Sequence, residues 1–154
     1  MESLPLSVKP DSPVSLERVS QLLGSYFEGT SLNISSRLTV DGQVSPVANP
    51  WIRPDMIKMM AEALQDSTYQ NIRTVSVPWC AYSTVIQPRS WLPNEVGGVA
   101  WVLLDNPGES PRFPIYCGTT ELPALLDNCG QHSYREDTAL WHFRQTNRMA
   151  RLRW

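Results

Sequence analysis

Residues 73–118 read RTVSVPWCAYSTVIQPRSWLPNEVGGVAWVLLDNPGESPRFPIYCG, and three apolar runs within them decide the fold. The first run, over 73–87, is rich in the β-branched and aromatic residues that strands favour, and Pro78 marks its start, a bulge or an edge. Further strands are predicted over 97–105 and 112–118. Because the connections are short, we expect consecutive strands to pair as an antiparallel meander. In the first strand, one side would carry Trp79, Ala81, Ser83 and Val85, and the other Cys80, Tyr82, Thr84 and Ile86.

The segment before the sheet predicts two helices. Apolar residues recur at helical spacing over 16–28, with Ser15 as the N-cap and Gly29 placed for a left-handed C-terminal cap. A second helix is expected over 55–65, because its methionines, alanine and leucine share one face. The connection between them is rich in serine, proline and asparagine, and its Asp-Gly turn predicts a short hairpin over 38–44.

The end of the chain predicts a last helix, from about residue 135 to residue 154. The capping box formed by Ser133 and Glu136 marks its start. Three arginines on one side of it predict a face exposed to solvent or to a partner: Arg144, Arg148 and Arg151. Another side would carry Leu140, Phe143, Asn147, Ala150 and Trp154. The order helix, loop, helix, strands, helix predicts an α+β fold, with an antiparallel sheet covered by helices.

The composition is that of one globular domain. The chain has 154 residues, of which 42% are hydrophobic and 18% are charged, so it can bury a core. A net charge of −2 gives no field that attracts nucleic acid. No window approaches the ~18 apolar residues that a membrane span needs. We therefore expect a single soluble domain over 1–154, with neither nucleic acid nor membrane as a partner.

The sequence carries no common catalytic or cofactor motif, such as a nucleophile elbow, a P-loop or a dinucleotide fingerprint. Cys80, Cys117 and Cys129 show neither CxxC nor Cys/His ligand spacing, so they indicate no complete disulfide framework and no zinc site. His132 and His142 have no carboxylate at ligand spacing and are interpreted as surface or half-buried histidines. We therefore expect no metal and no cofactor.

Side chains near the predicted strand ends are the candidates for chemistry. Asp105, Glu109 and Glu121 lie in or near strand-end loops, where carboxylates serve either catalysis or solubility. Arg89 follows a strand that is expected to be buried, and it directly precedes Ser90 and Trp91. Such an arginine is either half of a structural ion pair or a fixed cation that binds a carboxylate or oxyanion through its planar fork.

Several blocks of the sequence resemble a known family. They are SLPLSVKPDSPVSLERVSQLLGSYFEGT, RSWLPNEVGGVAWVLLD and PIYCGTTELP, followed by the ending ALWHFRQTNRMARLRW. In this order they are similar to the later half of the family C69 dipeptidases, which are cysteine peptidases of the N-terminal-nucleophile hydrolase class. The resemblance covers most of the chain and is weakest over 31–69. The alternative is an accidental resemblance of an unrelated α+β domain.

The resemblance implies a fold and an activity. The fold is an αββα sandwich, in which two sheets pack face to face between helical layers. The activity is hydrolysis of dipeptides or short peptides, in which an N-terminal cysteine thiolate attacks the peptide carbonyl and forms an acyl-enzyme. The resemblance also implies Arg89 as a catalytic residue, because this class places an arginine near the nucleophile from a late strand. Trp91, beside it, would then contact the substrate.

The chain departs from the family at its start, which reads Met1-Glu2-Ser3 where the family carries its nucleophile block. We therefore expect a truncated portion of a larger dipeptidase, inactive alone, with the nucleophile outside this chain. Its partners would be a peptide substrate and either the missing N-terminal half or a second copy. The compartment, cytoplasmic or exported, depends on the start of the parent protein. The alternative function is a non-catalytic module that acts by self-association or partner binding.

Overall fold

The computed structural model describes residues 5–45, 48–65 and 73–152 and has an α+β architecture, which confirms the predicted fold class. The helices are α1 (Leu16–Gly24), α2 (Pro54–Leu64), α3 (Asn94–Gly97) and α4 (Ala139–Ala150). The strands are β1 (Thr39–Val40), β2 (Gln43–Val44), β3 (Tyr82–Pro88), β4 (Gly98–Leu104) and β5 (Phe113–Tyr116). Two short 3-10 turns cover Ile34–Arg37 and Ala124–Leu126.

The main sheet is three-stranded and antiparallel, in the order β3-β4-β5. It is the predicted meander. Tyr82 pairs with Leu104 at one end of the β3–β4 ladder, and Pro88 pairs with Gly98 at the other. The first strand begins later than predicted, because the Cys80 amide donates to the Val77 carbonyl at 3.2 Å and closes a turn before β3.

The two faces of this sheet differ in burial. The inner face consists of Ser83, Val85 and Gln87 of β3 with Val99, Trp101 and Leu103 of β4. Leu103 on this face is only 1% exposed. The open face consists of Tyr82, Thr84 and Ile86, then Ala100, Val102 and Leu104, then Phe113 and Ile115. Tyr82 and Ile86 are 66% and 68% exposed. The open face is therefore an uncharged, apolar surface that the described residues cover only in part.

The helix α1 begins as predicted but ends earlier. Ser15 accepts a hydrogen bond from the Arg18 amide at 3.1 Å, which confirms it as the N-cap. The helix ends at Gly24, because Ser25 adopts extended backbone angles and its carbonyl accepts from the Ser76 amide at 2.9 Å. Gly29 has the expected left-handed backbone, with φ 69, but lies beyond the helix.

The next two predicted elements agree closely with the structure. The bounds of α2 match the predicted 55–65 within a residue at each end. β1 and β2 form the expected hairpin, and Asp41 and Gly42 at its turn both have positive φ, 51 and 75. Two left-handed residues in a row are the geometry of the hairpin turn that an Asp-Gly pair favours.

The helix α4 begins at Ala139, so the predicted start at 135 is wrong. The capping box that begins at Ser133 does not form. Instead the Trp141 indole N–H donates to the Gly130 carbonyl at 2.7 Å and to the Ser133 carbonyl at 2.8 Å. These bonds hold the preceding segment against the helix in a non-helical path. The predicted end of this helix at 153–154 lies outside the described residues.

Candidate functional site

The loop between β3 and β4 presents the residues that the sequence singled out. Arg89 extends the ladder by one pair, because its amide donates to the Gly97 carbonyl at 2.8 Å. The Leu92 amide then donates to the Arg89 carbonyl at 3.1 Å, and α3 returns the chain to β4. The loop is therefore fixed by its own backbone hydrogen bonds and holds Arg89 at a defined place at the end of the sheet.

The side chain of Arg89 is half-buried and clamps this loop. One terminal nitrogen donates to the Val96 carbonyl, and Nε donates to the Gly97 carbonyl at 3.4 Å. The guanidinium carbon also lies 5.9 Å from the centre of the Tyr116 ring, within the range of a cation–π contact. Among the residues that the structure describes, Arg89 forms no ion pair, and both interpretations of this arginine stay predictions. The remaining guanidinium donors are free to bind a carboxylate or oxyanion.

Trp91 lies two positions further along this loop and is 74% exposed. A tryptophan so exposed gains little from burial in this chain, whereas it offers a large flat surface for a ligand. The structure therefore places a half-buried cation and an exposed aromatic ring within one rigid loop. The sequence predicted both residues for the site.

Gly97 is the residue on which the geometry of this loop depends. A Cβ at this position would lie 3.0 Å from the Arg89 carbonyl oxygen and 3.1 Å from that of Leu92. We expect Gly97→Ala to lower the free energy of unfolding by about 1–3 kcal/mol, because backbone atoms cannot turn away from the added methyl group. Denaturant unfolding followed by circular dichroism measures this change.

Gly98→Ala is the matched control for this prediction. At Gly98 the added Cβ would overlap the Cys117 sulfur, which is a removable side-chain atom. Adding Cys117→Ala should therefore restore most of the stability lost in Gly98→Ala and none of that lost in Gly97→Ala. An equal rescue of both variants would show that the backbone clash at Gly97 is not the cause.

The three cysteines are free thiols in different surroundings. Cys80 is half-buried, and burial raises the pKa of its thiol. A raised pKa lowers the thiolate fraction at neutral pH and with it the nucleophilicity of the group. Cys117 and Cys129 are exposed. Within the described part of the chain, no hydrogen bond joins a cysteine to His132 or His142.

Two of the candidate carboxylates, Asp105 and Glu109, belong to a buried ion-pair cluster with α4. The Asp105 carboxylate accepts a hydrogen bond from Arg144 Nε at 3.2 Å and another from the side-chain Nδ2 of Asn147 at 2.9 Å. Glu109 binds Arg151 through Nη2 at 2.5 Å and Nε at 2.8 Å. Each carboxylate is nearly inaccessible, and two guanidinium groups balance the two negative charges. The cluster is therefore a charge-neutral contact that connects the end of β4 to α4. Of the three candidate carboxylates, only Glu121 is exposed.

The prediction that the arginines of the last helix form a solvated or partner-facing side is wrong for two of them. Arg144 and Arg151 point into the cluster, and Arg148 alone of the three is exposed. The spacing carried a signal that could have shown this: Leu140, Arg144, Asn147 and Arg151 follow one another at intervals of three or four residues. That interval places them on one helical stripe with the buried Leu140.

An apolar groove of about 250 Å³ lies where the open face meets the 3-10 turn at Ala124–Leu126. Its lining is Ala81, Tyr82, Val102, Leu104, Leu125, Leu126, Asn128, Cys129, Gln131, Ala139 and Leu140. The groove is continuous with the open face, so the two form one apolar surface.

Neither a metal site nor a membrane span is found in the part of the chain that the structure describes. No three histidine, cysteine or carboxylate side chains cluster there as metal ligands. No described helix is long and apolar enough to cross a bilayer.

Comparison with known proteins gives the class of the molecule. The model of peptidase family C69 matches residues 1–154, and the chain belongs to that family. This confirms the resemblance seen in the sequence and makes the chain a member of a peptidase family, and so of the hydrolases by class. Comparisons with curated proteins and with solved structures gave no match.

Proposed function

We propose that this chain is a portion of a C69-type dipeptidase that hydrolyses short peptides through an N-terminal cysteine acyl-enzyme, with the nucleophile outside residues 1–154. The family match over the whole chain carries the peptidase activity. The surroundings of Cys80 support a nucleophile outside this chain, because burial raises the pKa of the Cys80 thiol, whereas an activated thiolate needs a lowered pKa.

The open face supports a sandwich completed by another layer. Packed sheets lie about 10 Å apart, with the side chains of their facing surfaces interdigitated. Such a surface must be apolar and free of charge, and the open face meets both conditions, from Tyr82 on β3 to Ile115 on β5. The proposed partner layer is the remaining part of the enzyme. The alternative, a non-catalytic module, would use the same surface to associate with another protein.

Arg89 has the role of binding substrate in this proposal. Its guanidinium lies 5.9 Å from the centre of the Tyr116 ring and donates to carbonyls of α3, so its orientation is set before a ligand arrives. A fixed guanidinium binds a peptide carboxylate, or the oxyanion of the acyl intermediate, with little loss of side-chain freedom. Trp91 would then pack against the side chain of the bound peptide.

Two proteins test the proposal: the 154-residue chain and the same chain extended upstream in its gene to a cysteine-bearing start. Both are assayed for hydrolysis of a panel of dipeptides, with and without a thiol-blocking reagent. We expect thiol-dependent hydrolysis by the extended protein only. Thiol-dependent hydrolysis by the 154-residue chain would overturn the placement of the nucleophile, and a gene without such an extension would favour the module.

In the active extended protein, Arg89→Lys tests the planar fork, because lysine keeps the charge and loses the fork. We expect kcat/KM to fall about 10- to 100-fold, since one hydrogen bond to a charged group is worth about 1.5–3 kcal/mol. Arg148→Lys, at an exposed position of α4, is the control and should leave kcat/KM unchanged. Equal activity of both variants would show that Arg89 does not bind substrate.

A further inference from the structure

The two outer strands of the three-stranded sheet have different edges. In an antiparallel ladder, alternate residues direct their N–H and C=O groups toward one neighbour, and the residues between them direct theirs the other way. An outer strand therefore presents every second residue to whatever lies beyond the sheet. The hydrogen bonds that flank the strands show which residues those are in β3 and in β5.

The outer edge of β5 is closed. The Cys117 amide donates to the Gly98 carbonyl at 3.0 Å, so alternation directs Pro114 and Tyr116 away from β4. Pro114 has no N–H to offer. The Tyr116 amide donates to the Thr119 hydroxyl at 3.1 Å, and the Tyr116 carbonyl accepts from the Thr119 amide at 3.0 Å. The donors that a further strand would need are therefore missing or already used.

The outer edge of β3 is open. The Arg89 amide donates to Gly97 and the Asp105 amide donates to Ala81, so the odd-numbered residues of β3 pair with β4. Tyr82, Thr84, Ile86 and Pro88 therefore face outward. Within the described ranges, the amides and carbonyls of Thr84 and Ile86 have no partner, whereas the Tyr82 carbonyl accepts from the Cys80 thiol at 3.1 Å.

Pro88 protects only the end of this edge, and the side chains at its centre, Thr84 and Ile86, do not protect it. Exposed edges are usually blunted by charged residues, and no charged residue lies between Arg73 and Arg89. Besides β4, the helix α1 contacts β3. The four residues of β3 that face outward, Tyr82, Thr84, Ile86 and Pro88, are all exposed, so this contact does not bury them.

We propose that β3 pairs antiparallel with β3 of a second copy of this chain, around a two-fold axis at Val85. In this register Thr84 lies opposite Ile86 of the second copy, and the two exchange both backbone hydrogen bonds. Tyr82 lies opposite Pro88 of the second copy and donates to its carbonyl. Pro88 has no N–H, so this pairing lacks one donor. The acceptor opposite it is the Tyr82 carbonyl of the other copy, and the Cys80 thiol already donates to that carbonyl. The edge is therefore complementary to itself.

Charge and area are consistent with a reversible dimer. Arg89 falls opposite Ala81 of the second copy, so no like charges meet across the axis. A strand of seven residues is about 24 Å long, and an edge contact of that length buries much less than the ~800 Å² per partner of a stable interface. The dimer should therefore form at high protein concentration and dissociate on dilution. This inference goes beyond the proposed activity and does not depend on it.

Amide hydrogen exchange of the 154-residue chain, read residue by residue by NMR, tests the pairing directly. Ser83, Val85 and Gln87 should be protected at every concentration, because they bond to β4. Exchange at Thr84 and Ile86 should slow by about tenfold or more between dilute and concentrated samples, because these amides are bonded only in the dimer. Sedimentation equilibrium on the same samples should show monomer passing to dimer.

Thr84→Pro removes the outward donor while leaving the bonds to β4, and proline is tolerated at such edge positions. It should abolish the dimer, whereas Thr84→Val, which keeps the N–H, should not. Three results would overturn the proposal: a strict monomer at all concentrations, a dimer that survives Thr84→Pro, or protection of Thr84 and Ile86 in the dilute monomer. The last would mean that this chain itself covers the edge. None of these results depends on peptidase activity.

Discussion

Arg151→Met is expected to lower the free energy of unfolding by about 3–5 kcal/mol, because it leaves a buried carboxylate without its guanidinium. Arg151 binds Glu109 through two nitrogens, and the side chains are only 19% and 4% exposed. Methionine keeps most of the aliphatic volume, so the loss reports the charge pair and not a cavity. Urea unfolding followed by circular dichroism gives the free energy directly.

Arg148→Met is the control, one turn earlier on the same helix. Arg148 is exposed, and its guanidinium carbon lies 5.8 Å from the centre of the Trp141 ring without entering the cluster. Its loss should change the stability by about 0.5–1 kcal/mol at most, the value of an exposed cation–π contact. Equal effects of the two substitutions would mean that the cluster contributes nothing beyond the helical surface.

Leu103→Ala should be the other severe substitution, with a loss of about 2–5 kcal/mol. Leu103 lies on the inner face of the central strand and is only 1% exposed. Its truncation deletes buried methyl groups beneath the inner face, and the ladder that holds β4 between its neighbours limits how far the backbone can move to fill the cavity. Thermal unfolding and urea unfolding of the same variant give independent measurements of the loss.

Ile86→Ala, on the open face of β3, provides the comparison. Ile86 is mostly exposed, so its truncation should cost no more than about 0.5 kcal/mol in dilute solution. A large loss at Ile86 together with a small one at Leu103 would mean that the two faces of the sheet have been assigned the wrong way round.

The sheet could be predicted from the sequence because its signals are local. β-Branched and aromatic residues, short connections and alternation specify three strands in a meander, and Ser83 and Val85 lie on the same face, as predicted. The boundaries of α1 and α4 could not be predicted in the same way. The Ser76 amide binds beyond the end of α1 from a distant part of the chain, and the Trp141 indole holds the segment before α4 in a non-helical path, and helical periodicity encodes neither bond.

In the candidate site, too, the positions of residues could be predicted from local signals and their partners could not. The sequence located Arg89 correctly at the end of a strand, but its partners are backbone carbonyls of α3, which carry no residue-type signal. The predicted grouping of Arg144, Arg148 and Arg151 on one side of α4 was wrong for Arg148, and periodicity could not show what the buried side meets. The partners of that side, Asp105 and Glu109, lie about forty positions earlier in the chain, and only the folded structure brings them together.

The closed edge of β5 also determines the stoichiometry that pairing through β3 can reach. Sheets with two open edges can add copies at both ends without limit, which leads to fibres. In the described sheet, Pro114 and Thr119 leave each copy with one open edge. Two copies joined at β3 therefore use both open edges, and no strand is left for a third copy. A contact that could otherwise propagate instead stops at a symmetric pair.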